Sequence, residues 1–412
     1  FILFAVGSLI GTWALSGTLI AMVYYGLQLL SPNYFYLTAA VLCAVVAMTI
    51  GSSWTVVGTI GVGLMGIATN MGLSPEITAG AVISGAYFGD KSSPLSDSAN
   101  LAAAAAGVDL YAHVRETFVT SSVVLPIALV VFWFLGSPGD FDASRKIGAI
   151  ESFFDVSPVL FVPLLIVVVL AAIRIPPFPT IFLGALAGGI LAVWIAPDRV
   201  VAFADAGDLP RPLVLLKGVW LALASGYRSG TGDPAIDQLV SRGGMESMLN
   251  TIWLIITALS FGGVVEKVGV LDRLMTPIVS AARSAGALVS TLVGSVVATN
   301  VVTADQYIAI VLPARMLRGG FRSHGLAPVT LSRAVGDSAT VTGALIPWNS
   351  CGAYMAATLG VATFSYAPFA VFCWLSPLVT VAFAFLGLRM LRLESAEPAG
   401  APAGRPAARG GQ

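Results

Sequence analysis

The stretch Gly89-Asp90-Lys91-Ser92-Ser93-Pro94-Leu95-Ser96-Asp97-Ser98-Ala99-Asn100 sets two carboxylates, an ammonium, four hydroxyls and a carboxamide between apolar runs. Hard cations take oxygen donors of this kind rather than sulfur or nitrogen. Asp97 and Asn100 stand three residues apart, so they share a face if Asp97 opens the alanine-rich helix that follows. A plainer reading makes Ser96 or Asp97 the N-cap of that helix. Asp90 with Lys91 reads either as a structural ion pair or cap, or with Lys91 as a mobile counter-charge that neutralises the site when a cation leaves. A second set begins at Asp337, with Ser338, Thr340, Thr342, Asn349 and Ser350 close behind. Burial disfavours the charged form of a carboxyl. A buried Asp337 would therefore offer one carboxylate for which a proton and a cation compete, whereas a solvated helix end would offer nothing of the kind. Asn300, Thr303 and Asp305 form a third group, in which Asp305 either caps the next helix or lines the same pathway.

The setting decides what such residues mean. Only 10% of the chain is charged and 57% is hydrophobic, with a mean hydropathy of +0.89, outside the range of an ordinary globular domain. The first charged residue is Glu76, and residues 156–173, 175–197, 247–265, 284–304 and 338–388 carry none. A spanning helix needs ~20 largely apolar residues, so these lengths predict ten to twelve spanning or half-spanning segments in a lipid bilayer. Ionisable groups at membrane depth cost ~3 kcal/mol each on insertion scales and mark pathways or binding sites. With a formal charge of zero, no basic surface points to nucleic acid.

Three regions and a tail organise the chain: a first transmembrane repeat over 1–139, a connecting segment with scaffold helices over 140–246, a second repeat over 247–393, and a disordered tail over 394–412. Phe1 opens inside an apolar run without Met or a leader, so one or more helices are expected upstream. Gly89-Asp90 is echoed by Gly336-Asp337, Gly51-Ser52 by Gly294-Ser295 and Asn100 by Asn349, at offsets of 247, 243 and 249 residues, which proposes an internal duplication. Pro94 and Pro347 interrupt the two polar stretches. Proline removes a backbone donor, and freed backbone groups survive in lipid only when buried in protein or lining a cavity. Broken helices or re-entrant hairpins are therefore expected near 78–107 and 329–360, offering backbone carbonyls and amides to an ion. Transporters built from repeats place their site at the repeat interface.

Other signals carry less. Gly61-Val62-Gly63-Leu64-Met65-Gly66 matches a dinucleotide fingerprint but sits in an apolar run, where close helix packing explains it. Cys43, Cys351 and Cys373 lack metal or redox spacing and read as small apolar fillers. His113, beside Arg115 and Glu116, reads as an ordinary interfacial histidine, with pH sensing as the alternative. No nucleophile elbow, Walker loop or HExxH motif occurs, which argues against an ATP-driven pump or a membrane protease.

Gly85-Ala86-Tyr87-Phe88-Gly89-Asp90-Lys91-Ser92-Ser93-Pro94-Leu95-Ser96-Asp97 resembles the signature of NhaC-type sodium/proton antiporters of the ion transporter superfamily. Ala298–Tyr307, Asp337–Thr342 and Ile346–Tyr354 agree, as do Gly11–Gly26 and Ser241–Gly244, so the resemblance covers nearly all of residues 1–390. It implies an all-α polytopic membrane protein with two inverted-topology repeats, in a bacterial inner membrane, exchanging Na+ for H+ without a cofactor and without enzymatic chemistry. Carried over, a Na+ site would use Asp97, Asn100, Asp337 and Asn349. Asp90, Lys91, Ser93, Thr340 and Thr342 would bind or relay ions, with Asn300, Thr303 and Asp305 along the pathway. The chain departs from the family pattern at Gly336, where an acidic residue often stands, and at Ser98-Ala99, where threonines are usual. Relatives of this kind also include sodium-linked exchangers of malate and lactate, so the alternative reading is a Na+/H+-coupled exchanger of a small organic acid or amino acid. A small organic anion would need Lys91 or the arginines Arg315, Arg318 and Arg322, which otherwise mark a cytoplasmic loop. A second copy of the chain, as a homodimer, is a further candidate partner. From different classes, a channel would show uncoupled flux, and a membrane-embedded enzyme would need a nucleophile or metal constellation.

Overall fold

A computed structural model describes residues 1–136, 144–205, 209–230, 237, 241, 243–269, 273 and 284–393. The expected tail over 394–412 and parts of the aqueous segments around Asp140 and Gly226–Glu246 lie outside the described residues. Helices α1 (Ile2–Ser16) and α2 (Thr18–Leu29) meet at Gly17, whose φ of 87° allows a 73° bend that a side chain would oppose. There follow α3 (Phe35–Ile50), α4 (Ser53–Met71), α5 (Pro75–Ser92), α6 (Asp97–Ala106) and α7 (Leu110–Leu135). The middle of the chain supplies α8 (Val162–Ala172), α9 (Pro177–Ile195), α10 (Arg211–Ser225) and α11 (Leu249–Lys267). The remainder forms α12 (Ala285–Thr303), α13 (Gln306–Ser323), α14 (Pro328–Thr342), α15 (Ser350–Leu359) and α16 (Val371–Phe385).

Among the described residues no strand forms beyond one isolated bridge between Leu326 and Arg392. Six helices are long and apolar enough to cross a bilayer, or eight when the bent pairs Ile2–Ser16 with Thr18–Leu29 and Thr363–Phe369 with Val371–Phe385 each count as a span. The protein is an all-α polytopic membrane protein. The helices break between α5 and α6 at Ser93–Ser96 and between α14 and α15 across Ile346–Asn349, and none of these four is among the six apolar spans.

Element boundaries recur at a constant spacing. The left-handed residues Gly51 and Ala304, Gly72 and Gly325, and Gly107 and Gly360 are each 253 residues apart. So are the N-caps Ser52 and Asp305, the helix-opening Pro75 and Pro328, the turn prolines Pro94 and Pro347, and the N-caps Ser96 and Asn349. The dipeptide echoes at 243–249 fall outside this frame. In it Asp337 corresponds to Ser84, and Asp90 to Gly343. Short polar dipeptides recur by chance, whereas caps and left-handed residues are tied to the backbone path.

Glycine lets α5 lie directly on α3. A Cβ at Gly85 would stand 2.1 Å from the Ala40 carbonyl oxygen, and one at Gly89 would stand 2.4 Å from Ala47. Small residues four apart permit this close approach, and it draws the polar last turn of α5 into the protein. The expectation for Gly63 is of the same kind: a Cβ there would meet the Met22 methyl at 2.1 Å.

Candidate functional site

The last turn of α5 presents two charges to two different surroundings. Asp90 is buried and accepts hydrogen bonds from three hydroxyls: Ser53 Oγ at 2.6 Å, Ser98 Oγ at 3.2 Å and Ser96 Oγ. Ser96 is the N-cap of α6, accepting from the amides of Ser98 and Ala99. The Asp90 carboxylate therefore rests against the capped start of α6, where helix-end amides and hydroxyls favour negative charge.

Lys91, fully buried, faces the other way. Its Nζ donates to Asp337 Oδ1 at 2.8 Å and to Ser376 Oγ at 2.8 Å, and it lies 5.0 Å from the centroid of the Phe372 ring. Asp337 also accepts from Thr120 Oγ1 at 2.8 Å and from Thr380 Oγ1 at 2.6 Å. A buried ion pair survives only when further hydrogen bonds offset desolvation; hydroxyls from α7 and α16 supply them. Lys91 is thus paired with Asp337 on α14, not with its neighbour Asp90. Helical geometry gives the reason, since adjacent residues on a helix point about 100° apart.

The asparagines hold the breaks together. Asn300 Nδ2 donates to the Ala339 carbonyl at 3.1 Å and to Thr342 Oγ1 at 3.0 Å. Asn349 Nδ2 donates to both oxygens of Asn300 at 3.1 Å, while its Oδ1 caps α15 by accepting from the Cys351 amide. Asn100 Nδ2 takes the Ser96 carbonyl at 2.8 Å and the Pro94 carbonyl at 3.4 Å. Carbonyls at both breaks that were expected to face an ion thus have carboxamide donors. Ser93 ties its turn to α3 through the Met48 carbonyl, Thr303 bonds back to the Thr299 carbonyl, and Thr340 is buried in α14. Asp305 caps α13 through the amides of Tyr307 and Ile308.

Asp97 is exposed on the wall between two cavities. One, of ≈ 480 Å³, includes Ser52, Thr55, Asn100 and Arg174. The other, of ≈ 490 Å³, includes Asp90, Asp97 and Asp305, and no Lys, Arg or His lines it among the described residues. Four pairs of its lining residues stand 253 apart: Ser52 with Asp305, Trp54 with Tyr307, Asp97 with Ser350, and Ser98 with Cys351. This cavity is lined by residues from both the Ser52–Ser98 and the Asp305–Cys351 stretches. Asp97 and Asn100 share a cavity wall, whereas Asp337 is held by Lys91 and Asn349 by Asn300; the four residues are gripped by different partners.

Sequence reasoning passed over Ser53, Thr120 and Thr380, hydroxyls that satisfy Asp90 and Asp337, and Ser376, which accepts from Lys91. A hydroxyl in an apolar helix most often bonds its own preceding turn, so no local signal sets these apart. His113, read as interfacial, is fully buried and bonded through Nδ1 to Ser332 Oγ at 2.6 Å.

Comparison with known proteins matches this arrangement to one family. The model of the Na+/H+ antiporter family matches residues 4–137 and 85–388. The chain is 37% identical over 392 residues to the Na(+)/H(+) antiporter NhaC of Alkalihalophilus pseudofirmus, covering 94% of this chain and 82% of that protein. It is 34% identical to the Na(+)/H(+) antiporter NhaC of Bacillus subtilis, over 93% of this chain and 83% of that one. A Malate-2H(+)/Na(+)-lactate antiporter of Bacillus subtilis is 35% identical, over 91% and 77%. The chain belongs to the Na+/H+ antiporter family.

Proposed function

We propose that this protein exchanges Na+ for H+ across a bacterial inner membrane, by competition of the two ions for buried carboxylates. The observation that carries this reading is the adjacency of Asp90 and Lys91: consecutive residues join the acidic cavity between the halves to the buried Lys91–Asp337 pair. Na+ entering that cavity meets Asp97, Asp90 and Asp305. A proton or Na+ that neutralises Asp337 frees Lys91, and the ion pair re-forms when both have left. Lys91 then supplies the positive charge that the departed cation had supplied, so the site is never left with an unpaired carboxylate. Either cargo satisfies Asp337 and neither can share it with the other, which is the coupling an antiporter needs. The constant spacing of equivalent elements supports a duplicated architecture, and we infer that its two copies are inserted in opposite directions. A carboxylate solute fits less well, because the cavity between the halves offers three acidic side chains and no basic one.

Inverted vesicles with an acid interior and a pH-sensitive dye test this reading. Added Na+ should dissipate the gradient for the wild-type protein and fail to do so for Asp97→Asn or Asp337→Asn. Undiminished exchange in both variants would refute the assignment, and uptake of labelled malate or lactate without Na+ would replace it with a carboxylate porter.

A further inference from the structure

The buried face of α7 changes character halfway along. Its first half buries His113, Glu116, Thr117, Thr120 and Ser121; its second half buries Val124, Ala128 and Phe132. The polar half leads to Asp337, which accepts from Thr120, and the apolar half lies beyond it. Seven residues separate Thr120 from His113, about 10 Å of helix, so the polar stripe joins the buried carboxylate to one end of α7 only.

That stripe is lined from α14 by Ser332, Arg333 and Gly336. His113 Nδ1 is bonded to Ser332, while its Nε2 has no partner among protein atoms. Glu116 Oε2 is likewise unpaired; Arg333 Nη1 is 3.9 Å from it, too long for a hydrogen bond. Arg333 Nη1 donates to the Arg389 carbonyl at 2.8 Å, and its Nε and Nη2 are unpaired. Glu116 Oε1 is 3.5 Å from Arg389, whose side chain is 45% exposed. Buried polar atoms take hydrogen-bond partners, and these sit on three side chains that are each at least nine-tenths buried. Gly336 lets the His113 ring lie against α14: a Cβ there would stand 2.9 Å from His113 Cε1 and 3.3 Å from Thr117 Cγ2.

We propose that this stripe is a proton route to Asp337, separate from the cavity that admits the cation. It rests on the exchange reading above and adds the path of one of the two ions. Glu116 takes a proton from water beside Arg389. Water bridging the unpaired atoms of Glu116, Arg333 and His113 passes it inward; the Thr120 hydroxyl gives its own proton to the Asp337 carboxylate and takes one from that water, and the bond from Lys91 to Asp337 breaks. One proton enters for each that arrives, and no other bond changes. The charged groups facing Glu116 and His113 are Arg333 and Asp337 on α14, Lys91 on α5 and Arg389 beyond α16, with Arg115 outward on α7 itself. Arg318 and Arg322 lie near the end of α13 and Arg389 and Arg392 follow α16, segments that backbone bonds from Ala327 to Leu391 and from Leu393 to Gly325 join at this end, which the positive-inside rule assigns to the cytoplasm.

The full chain reconstituted in liposomes, with a trapped pH dye and labelled sodium, tests the route. Positioned proton-transfer groups are worth ~10²–10⁴ in rate, so Glu116→Gln and His113→Gln should slow Na+-driven H+ flux about tenfold or more and shift its pH profile. Na+/Na+ counterflow at equal pH, which moves no proton, should stay within about twofold. Gly336→Ala, which removes no titratable group, should show the same split by pushing the His113 ring from its place. Wild-type H+ flux and pH profile in all three variants would overturn the proposal. An equal loss of both transport modes, which a merely structural role would cause, would overturn it too. No Na+-driven H+ flux in the wild type would instead refute the exchange reading, and this route with it.

Discussion

Removing either member of the Lys91–Asp337 pair should cost far more than removing both. In Asp337→Asn the shape is kept, but the Lys91 ammonium loses its counter-charge and is left with neutral acceptors and the Phe372 ring. Stranding one charge of a buried pair costs ~3–5 kcal/mol, and the cation–π contact, already made in the wild type, does not offset it. Lys91→Met leaves the Asp337 carboxylate with the Thr120 and Thr380 hydroxyls; it can also escape by protonation, so its loss should be the smaller of the two. The double variant has no charge to strand and only Thr and Ser hydroxyls to rearrange. Its loss should be ~1 kcal/mol, the cost of hydroxyl hydrogen bonds that rearrange, well below the Asp337→Asn loss and far short of the sum of the single losses. Apparent melting temperatures of purified protein in detergent report this. The Asp337→Asn transition should drop by on the order of 5–10 °C, and the double variant should recover most of that. Additivity within ~0.5 kcal/mol would refute the reasoning, since it would mean that the two charges do not meet. The same cycle read by transport should behave differently: the double variant regains stability without regaining Na+-driven H+ flux.

Two further outcomes follow from the packing around the site. Asp90→Asn replaces an acceptor of three serine hydroxyls with a group that is half donor, leaving at least one hydroxyl mispaired; a loss of ~1–3 kcal/mol should appear as a lower melting temperature. Gly85→Val drives a side chain into the backbone of α3 at Ala40 and should abolish folded protein on size exclusion, whereas Gly294→Ala, with nothing within 4 Å, should be neutral or stabilising by up to ~1 kcal/mol.

The amino-acid sequence by itself determined that this chain lives in a membrane, because apolar run length and the scarcity of charge answer directly to the bilayer. It also located the breaks: Pro94 and Pro347 cannot donate, and Ser96, Asp305 and Asn349 are residue types that cap helices. Asp90, Lys91 and Asp337 stood out for the same reason, as ionisable groups among apolar neighbours. Partnership was another matter. Asp90 and Lys91 are neighbours in the chain yet serve different surroundings, because a helix turns them apart. The 253-residue spacing follows the backbone path, so glycines and caps show it while the dipeptide echoes at 243–249 residues do not. The hydroxyls that complete each carboxylate, Ser53, Thr120 and Thr380, come from helices 37, 217 and 43 residues away, and nothing in their local pattern separates them from any other buried threonine or serine. Tertiary structure alone placed His113 and Glu116 on the approach to Asp337, since only the packing of α7 on α14 turns a stripe of one helix toward a carboxylate on another.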